Sequence, residues 1–525
     1  MPKILRNTVV VGLSTVGSRM LGLARDIMIF AGLGTGAWND AFILAFTLPN
    51  LFRRLLGEGA LASAFAPIFS DLLQRSSLAE AFVFLNQVLI RLLLVLSIIT
   101  LSGTLLLGLL IHYNLLSERW LFGAELSMVL LPYMILMCLA AIISVGLNIV
   151  GRFVVAASVS MLLNISMIIA LLIAMWLNCE PSQTVYWLCG GVLFGGFLQL
   201  IAPALDLMCQ GWRPELIIKK ASRETEIREL WLLFLPGLAG AAIVHINALV
   251  SRFLAYSLDE SAVSMLYLAS RLIELPMGVF TVSLATVFFP LMVRSVSNRD
   301  NKAFADAAVQ GMRLVVCITL PAGIGLAVLG EPILTLLFRW GAFSAQDVEQ
   351  TFPLLVIYGL GLPFYSATTI AIRGLHACKD MKSPVRVAGF CLLLNLAVGL
   401  MLMQFYGAAG LAIGNVLAAI IQSLFLWQIL SRNRNEFAEK PLRQAFFKIL
   451  CSGLVMGLFC ICGHVAVLSF NLAEKLYATL MVCVFIPFGA ALYFGMLYLL
   501  KFEELNLLTG LFRRFLSKSM GSGKV

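Results

Sequence analysis

Apolar stretches of about twenty residues recur along almost the whole chain, and they restrict its fold more than any other feature. A helix of about twenty apolar residues crosses the hydrocarbon core of a bilayer, where the backbone must satisfy its own hydrogen bonds. Of the 525 residues, 61% are hydrophobic and only 12% are charged, a proportion that is not typical of soluble proteins. We therefore predict an all-α polytopic membrane protein.

Charged residues and clusters of Gly and Pro divide the apolar stretches into about fourteen predicted spans. The predicted spans are 8–30, 38–56, 81–111, 125–150, 155–177, 184–208, 230–256, 261–291, 308–338, 350–372, 384–405, 408–430, 445–470 and 476–500. The first stretch carries charged residues and has no small-residue cleavage site, so it is interpreted as a retained helix and not as a removed signal.

Lysine and arginine alternate between loops in a way that predicts the orientation of the chain. With the first residues placed in the cytoplasm, the outer loops hold only Arg119, Arg339 and Lys475, and the other basic loop residues fall on the inner side. The net charge of +10 therefore reflects orientation in a membrane and does not indicate a nucleic-acid partner. We predict an even number of spans, with both termini in the cytoplasm.

The two halves of the chain repeat each other. Residues 61–67 recur as 284–290, and Gln199 recurs as Gln422, both with an offset of 223. Because the repeating unit holds six spans, the two copies have the same orientation and are related by an axis along the membrane normal. Weaker matches link Pro132 to Pro353, at an offset of 221, and 162–165 to 393–396, at an offset of 231.

The repeat predicts two parallel six-helix lobes and two additional helices. The predicted divisions are 1–220 for the N-terminal lobe, 221–435 for the C-terminal lobe, and 436–525 for the last two helices with a cytoplasmic tail. Two parallel lobes around a central cavity are typical of transporters that work by alternating access. The last two helices either line a groove for a lipid tail or simply pack, and packing is the favoured interpretation.

Charged residues inside the predicted spans are the candidate site residues. An arginine at the bilayer centre costs about 2.5 to 3.5 kcal/mol, so such residues must face a hydrated cavity or a partner. The predicted substrate-binding residues are Arg19, Arg25 and Asp26 in the first span, Asp40 at the outer start of the second, and Arg252 and Arg271 in the second lobe, supported by Glu274.

Two interpretations of these charges remain open from the residues alone. They form internal ion pairs, Arg19 with Asp26 and Arg271 with Glu274, or they leave an excess of positive charge between the lobes. The arginines outnumber the acids, and planar guanidinium groups bind phosphate and carboxylate at two points. The second interpretation predicts a large anionic substrate.

A further charged cluster lies at the predicted inner end of the second span. Arg53, Arg54 and Glu58 are interpreted either as a gate or as an ordinary group of cytoplasmic charges. Pro49 and Gly59 lie on either side of this cluster, where they allow the helix end to bend.

Several segments closely resemble the MurJ (MviN) family of lipid II flippases. They are 18–26, 40–42, 48–54 and 58–60 in the first half, followed by 271–276, 278–279 and 379–385. The resemblance covers nearly the whole chain and implies a fourteen-helix member of the multidrug, oligosaccharidyl-lipid and polysaccharide exporter superfamily. It also implies that the protein moves lipid-linked peptidoglycan precursor from the inner to the outer leaflet of the bacterial cytoplasmic membrane.

The resemblance assigns roles to individual residues. It implies that Arg19, Arg25, Asp40, Arg53, Arg54 and Arg271 match positions the family needs for function, and that Arg252 matches a cavity arginine of many members. The chain departs from the family at Ser251 and Ser270, where many members have an acid before each of the two arginines in the second lobe.

The expected partners follow from this function. We predict an anionic precursor linked to undecaprenyl diphosphate as substrate, together with membrane lipids and cell-wall synthesis proteins, and a monomeric transporter without a cofactor. Membrane potential is the expected driving force, because the free energy of an anion falls by about 2.3 kcal/mol per charge per 100 mV when it leaves a negative-inside cell. The seventh and eleventh spans contain no carboxylate, and the coupling ion is left open.

The sequence also bears on three other classes of function. An enzyme is disfavoured because the four histidines are scattered and the eleven cysteines lack the paired spacing of a zinc site. A drug-cation antiporter would line its cavity with acids, and here the interior charges are mainly arginines. A flippase for another lipid-linked oligosaccharide, such as an O-antigen or polysaccharide unit, shares the fold and the diphosphate and is the alternative that stays open.

Overall fold

The computed structural model describes residues 2–57, 59–215, 223–432, 435–437, 442–470 and 472–505. These residues form helices and turns with no strand among them, which confirms the all-α prediction. The α-helices are α1 (Pro2–Leu33), α2 (Ala37–Phe52), α3 (Ala60–Arg75), α4 (Leu78–His112), α5 (Glu118–Leu130), α6 (Tyr133–Ile149), α7 (Phe153–Trp176), α8 (Pro181–Met208), α9 (Glu224–Tyr256), α10 (Ala262–Pro276), α11 (Val282–Ser297), α12 (Asn301–Leu337), α13 (Ala345–Ala377), α14 (Lys382–Tyr406), α15 (Ala408–Ser431), α16 (Leu442–Leu468), α17 (Glu474–Leu480) and α18 (Ile486–Leu499).

The length and composition of these helices bear out a multi-pass membrane protein. Among the described residues, ten helices, counted through their π-helical turns, are long and apolar enough to cross a membrane. The bent pair α5 and α6 makes an eleventh if it is one span. Helices α1, α2 and α9 overlap the three other predicted spans but are not among these candidates. The count of fourteen spans and the orientation of the termini therefore stay predictions.

The chain folds into two compact units. The first comprises Met1–Ser264 and the short segment Trp340–Ser344, and the second comprises Met265–Arg339 and Ala345–Val525. Helix α9 packs on α2 and α3 within the first unit. The lobe boundary at residue 220 was drawn from the sequence repeat, and it stays a prediction.

Each half of the chain contains a π-helical turn at the same point of the repeat. The first, Arg53–Gly57, follows α2, and the second, Met277–Thr281, follows α10. Their first residues are 224 positions apart, close to the offset of 223 found in the sequence. A π-helical turn holds one more residue than an α-helical turn, and such turns are frequent at functional sites.

Close helix packing also repeats between the halves. On α8, a methyl group added to Gly191 would lie 2.7 Å from Cβ of Ala170 on α7. On α15, a methyl group added to Gly414 would lie 3.2 Å from Cα of Gly399 on α14. Gly191 and Gly414 are 223 residues apart, so the repeat extends to the contacts between helices. In lipid, small residues let helix backbones approach closely, which replaces the missing hydrophobic driving force.

The turn before α14 is fixed by Asp380. Its Oδ1 accepts hydrogen bonds from the backbone N–H groups of Lys382 (3.1 Å) and Ser383 (2.9 Å), which begin the helix. Partial burial alone would raise the pKa of this carboxyl, but the hydrogen bonds and nearby Arg386 bring its pKa below the ordinary value. The motif 379–385 therefore has a structural role in starting a helix.

Substitutions at two adjacent glycines test the packing of α8 on α7. We expect Gly191→Val to destabilise the protein by about 1 to 3 kcal/mol, because the side chain must push α7 away. Gly190→Val is the matched control, since a methyl group added there meets nothing within 4 Å. Thermal unfolding in detergent measures both, and equal midpoints for the two variants would contradict this packing.

Candidate functional site

Arg19 lies on α1 with an exposed side chain. Its guanidinium has no ion-pair partner among the residues whose side chains the structure describes. The suggested pair of Arg19 with Asp26 is wrong, because Asp26 pairs with its neighbour Arg25 instead. Arg19 is therefore a cation available to a ligand.

Arg25 and Asp26 form a buried pair on the same helix. The Nε and Nη2 atoms of Arg25 donate to Oδ1 of Asp26 at 3.0 and 2.5 Å, and Nη1 donates to Oδ1 of Asn164 at 2.9 Å. Asn164, on α7, also donates from Nδ2 to the carbonyl of Ser18 at 3.2 Å. This site residue was not predicted, although an asparagine inside an apolar span and inside a repeated segment was the signal that pointed to it.

Asp40, in the first turn of α2, is fully buried and held by the protein on both oxygens. Arg119 donates from Nη2 to Oδ2 at 3.0 Å, and the backbone N–H of Ser264 donates to Oδ1 at 2.8 Å. Its two carboxylate oxygens are thus already engaged, and its predicted contact with substrate stays a prediction.

Arg119 is the second site residue that sequence reasoning missed. Besides Asp40, it donates to the carbonyls of Leu258 and Asp259 in the connection between α9 and α10, and its guanidinium lies 4.7 Å from the ring centre of Tyr256. In the sequence it looked like one of the few basic residues of the outer loops. The contacts show that it ties α2 to the α9–α10 connection within the first unit.

The remaining predicted cations of the first unit lie on α9 and after α2. Arg252 is half-buried and donates from Nη1 to the hydroxyl of Thr47 on α2. Arg53 begins the π-helical turn, with Nε 3.3 Å from Oδ1 of Asn50, and Arg54 is exposed. Glu58, the predicted acid of the gate, lies outside the described residues.

Gly59 explains why the chain can turn sharply after these arginines. A methyl group added to it would lie 2.4 Å from the carbonyl oxygen of Arg54 and 2.9 Å from that of Leu55. A side chain at this position would therefore disrupt the turn that carries Arg53 and Arg54. Whether these arginines act as a gate stays a prediction.

In the second unit, Arg271 pairs with Glu274, in agreement with the ion-pair interpretation of the sequence. Nη1 of Arg271 donates to Oε2 of Glu274 at 2.5 Å, and the two side chains are 34% and 50% exposed. Accessible ion pairs contribute about 0 to 1 kcal/mol, so a second anion can compete for this guanidinium.

These placements separate the predicted residues into two kinds. Arg19 and Arg54 are exposed and Arg271 is partly accessible, whereas Arg25, Asp26 and Asp40 are buried in hydrogen-bonded networks. The accessible guanidinium groups can bind phosphate or carboxylate at two points. In the described part of the chain, no group of three or more His, Cys, Asp or Glu residues could hold a metal ion.

Comparisons with known proteins point to one family. A family model described as lipid II flippase MurJ matches residues 29–486. A probable lipid II flippase MurJ of Rhizobium tropici is 31% identical over 86% of both chains, and one of Bdellovibrio bacteriovorus is 30% identical over 96% of both.

Solved structures give the same result for the fold. A lipid II flippase MurJ in an inward closed conformation is 25% identical, covers 93% of this chain and 98% of its own, and has a TM-score of 0.76. An inward-facing multidrug resistance MATE family transporter of the MOP superfamily is 15% identical, with a TM-score of 0.63 over 79% of this chain and 96% of its own, and supports the fold alone.

Removal of Arg119 tests the network around Asp40. We expect Arg119→Ala to lower the free energy of unfolding by on the order of 3 kcal/mol, because it leaves a fully buried carboxylate without its cation. Arg75→Ala is the control, since its ion pair with Asp71 is exposed on both sides and contributes little. Unfolding in detergent measures both effects. If Arg119→Ala costs as much in an Asp40→Asn background as alone, the two residues are not coupled.

Proposed function

This chain belongs to the lipid II flippase MurJ family, and we propose on that premise that it flips lipid II between the leaflets of a membrane. The match of the family model to residues 29–486 carries this conclusion. The direction we propose is from the inner to the outer leaflet of the bacterial cytoplasmic membrane, for cell-wall synthesis. Both termini are proposed to lie in the cytoplasm.

The accessible arginines give the proposal its chemistry. Arg19 is exposed and has no ion-pair partner among the described side chains, so we assign it first contact with the diphosphate of the substrate. Arg271 is assigned a second anionic group, such as a carboxylate of the peptide. The polyprenyl tail stays in the lipid, because its removal from hydrocarbon would cost free energy.

The acids beside the arginines have a proposed role in release. Asp26 already occupies Arg25, and Glu274 already occupies Arg271, so a substrate anion must compete with an internal carboxylate. Competition weakens binding, and a transporter that binds its substrate too tightly in every state would stall. The internal pairs therefore favour turnover by alternating access over retention.

The driving force and partners are part of the same proposal. The substrate is an anion, so a negative-inside membrane potential favours its outward movement by about 2.3 kcal/mol per charge per 100 mV. We propose that the protein is a monomer and that it works with cell-wall synthesis proteins. We also propose that it acts as a transporter and not as an enzyme. A flippase for another lipid-linked oligosaccharide is the competing function, and the family match does not favour it.

Arginine variants test the site. We expect replacement of the resident lipid II flippase of a test bacterium by this chain to restore lipid II in the outer leaflet, and Arg19→Ala and Arg271→Ala to abolish that activity. Arg19→Ala should change stability little, because the side chain is exposed, whereas Arg25→Ala should cost about 3 kcal/mol, because Asp26 stays buried without its partner.

Matched expression and an unrelated surface arginine complete the experiment. Arg75→Ala should flip lipid II as the parent does, because its pair with Asp71 is exposed. Activity that persists in both Arg19→Ala and Arg271→Ala would contradict the arginine site. A parent that is well expressed yet inert toward lipid II, while lipid-linked O-antigen crosses, would overturn the substrate.

A further inference from the structure

A cavity of about 240 Å³ lies inside the first unit, between three elements: the α2–α3 connection, α4 and α9. Leu55 and Leu56 of the π-helical turn form one wall. Leu92 on α4 and Phe234 on α9 form two others. None of the predicted substrate-binding residues lines this cavity.

The walls of the cavity suit an apolar guest. Every lining residue except Arg91 is apolar, and the guanidinium of Arg91 is engaged by Glu224, 2.9 Å from Nη2 to Oε1. Water in such a space would lack the two to four polar partners that hold a buried water molecule. An aliphatic chain, in contrast, gains dispersion contacts with every wall.

The opening of the cavity lies on an apolar surface, the kind that a membrane-spanning helix turns toward hydrocarbon. Two residues at its rim, Val95 on α4 and Trp231 on α9, are 41% and 37% exposed. Next to them along α4, Leu94 and Ile98 are also exposed, as expected for the lipid-facing side of an apolar span. A guest therefore reaches the cavity from the lipid and not from water.

The length of the lining suits part of a single acyl chain. The lining residues extend from Val88 to Ile99 on α4 and from Ile227 to Leu238 on α9, eleven positions and about 16 Å on each helix. That is about half of the roughly 30 Å hydrocarbon core, the depth of one leaflet. We propose that this cavity binds one acyl chain of a membrane phospholipid, with the polar end of the lipid near Arg91.

The position of the site suggests what the lipid does, a consequence that rests on the proposed function. A chain in the cavity packs on Leu55 and Leu56, and the same π-helical turn carries Arg53 and Arg54. Occupation therefore holds this turn in one conformation, and departure of the chain leaves room for Leu55 and Leu56 to move. The bound lipid thereby regulates the segment predicted to be the gate.

Fluorescence of Trp231 tests binding directly. The protein is reconstituted in bilayers with increasing fractions of phospholipid that is brominated in the middle of its acyl chains, since bromine quenches tryptophan on contact. The difference between the parent and Trp231→Phe gives the emission of Trp231. The corresponding difference for Trp176→Phe reports a tryptophan that is 81% exposed and lies outside the cavity.

The proposal predicts that Trp231 is quenched at a several-fold lower fraction of brominated lipid than Trp176, despite its lower exposure. Leu92→Phe, which fills the cavity, should abolish this early quenching, and Leu101→Phe, at a position 72% exposed on the same helix, should leave it unchanged. If Leu92→Phe does not fold, Val95→Phe at the rim of the cavity is used as the filling variant instead.

Equal quenching curves for Trp231 and Trp176, unchanged by the filling variants, would overturn the proposal, since they would describe ordinary contact with bulk lipid. The readout needs no transport, so it distinguishes failure of the lipid site from failure of lipid II flipping. A filled variant that binds no lipid yet gates normally would remove the regulatory role alone.

Discussion

A guanidinium or carboxylate buried in an apolar bundle has no water to stabilise its charge, and each must find partners inside the protein. Arg25 finds them in Asp26 and Asn164, and Asp40 finds them in Arg119 and the backbone of Ser264. These two networks join α1 to α7 and α2 to the α9–α10 connection. Arg19 and Arg271 stay accessible, which is why we propose them as the site for an anionic substrate.

The membrane also affects how the helices pack, because it removes the hydrophobic driving force for their association. Lipid tails solvate apolar side chains as well as other helices do, so helices associate where small residues allow close contact. Gly191 on α8 and Gly414 on α15 provide such contacts at equivalent points of the repeat. The two π-helical turns after α2 and α10 repeat as well. The internal repeat thus includes both the helix contacts and the π-helical turns.

The proposed acyl-chain cavity connects the membrane to the function. A transporter of a lipid-linked substrate is surrounded by membrane lipid. In the proposal, an acyl chain of that lipid contacts the π-helical turn through the opening between α4 and α9. Arg53 and Arg54 lie on the same π-helical turn as Leu55 and Leu56, which line the cavity.

The sequence alone determined the helical class, the positions of most helices, the internal repeat and the charged residues of the candidate site. These features depend on local hydrophobic periodicity and on the free-energy cost of burying a charge, and both can be inferred from the order of the residues. It did not determine the partners of the buried charges, Asp26 and Asp40. Asp26 pairs with Arg25 and not with Arg19, and Asp40 pairs with Arg119 at the start of α5, 79 residues away. Only tertiary structure decided these pairs, because side chains distant in sequence compete for each buried charge and packing selects among them.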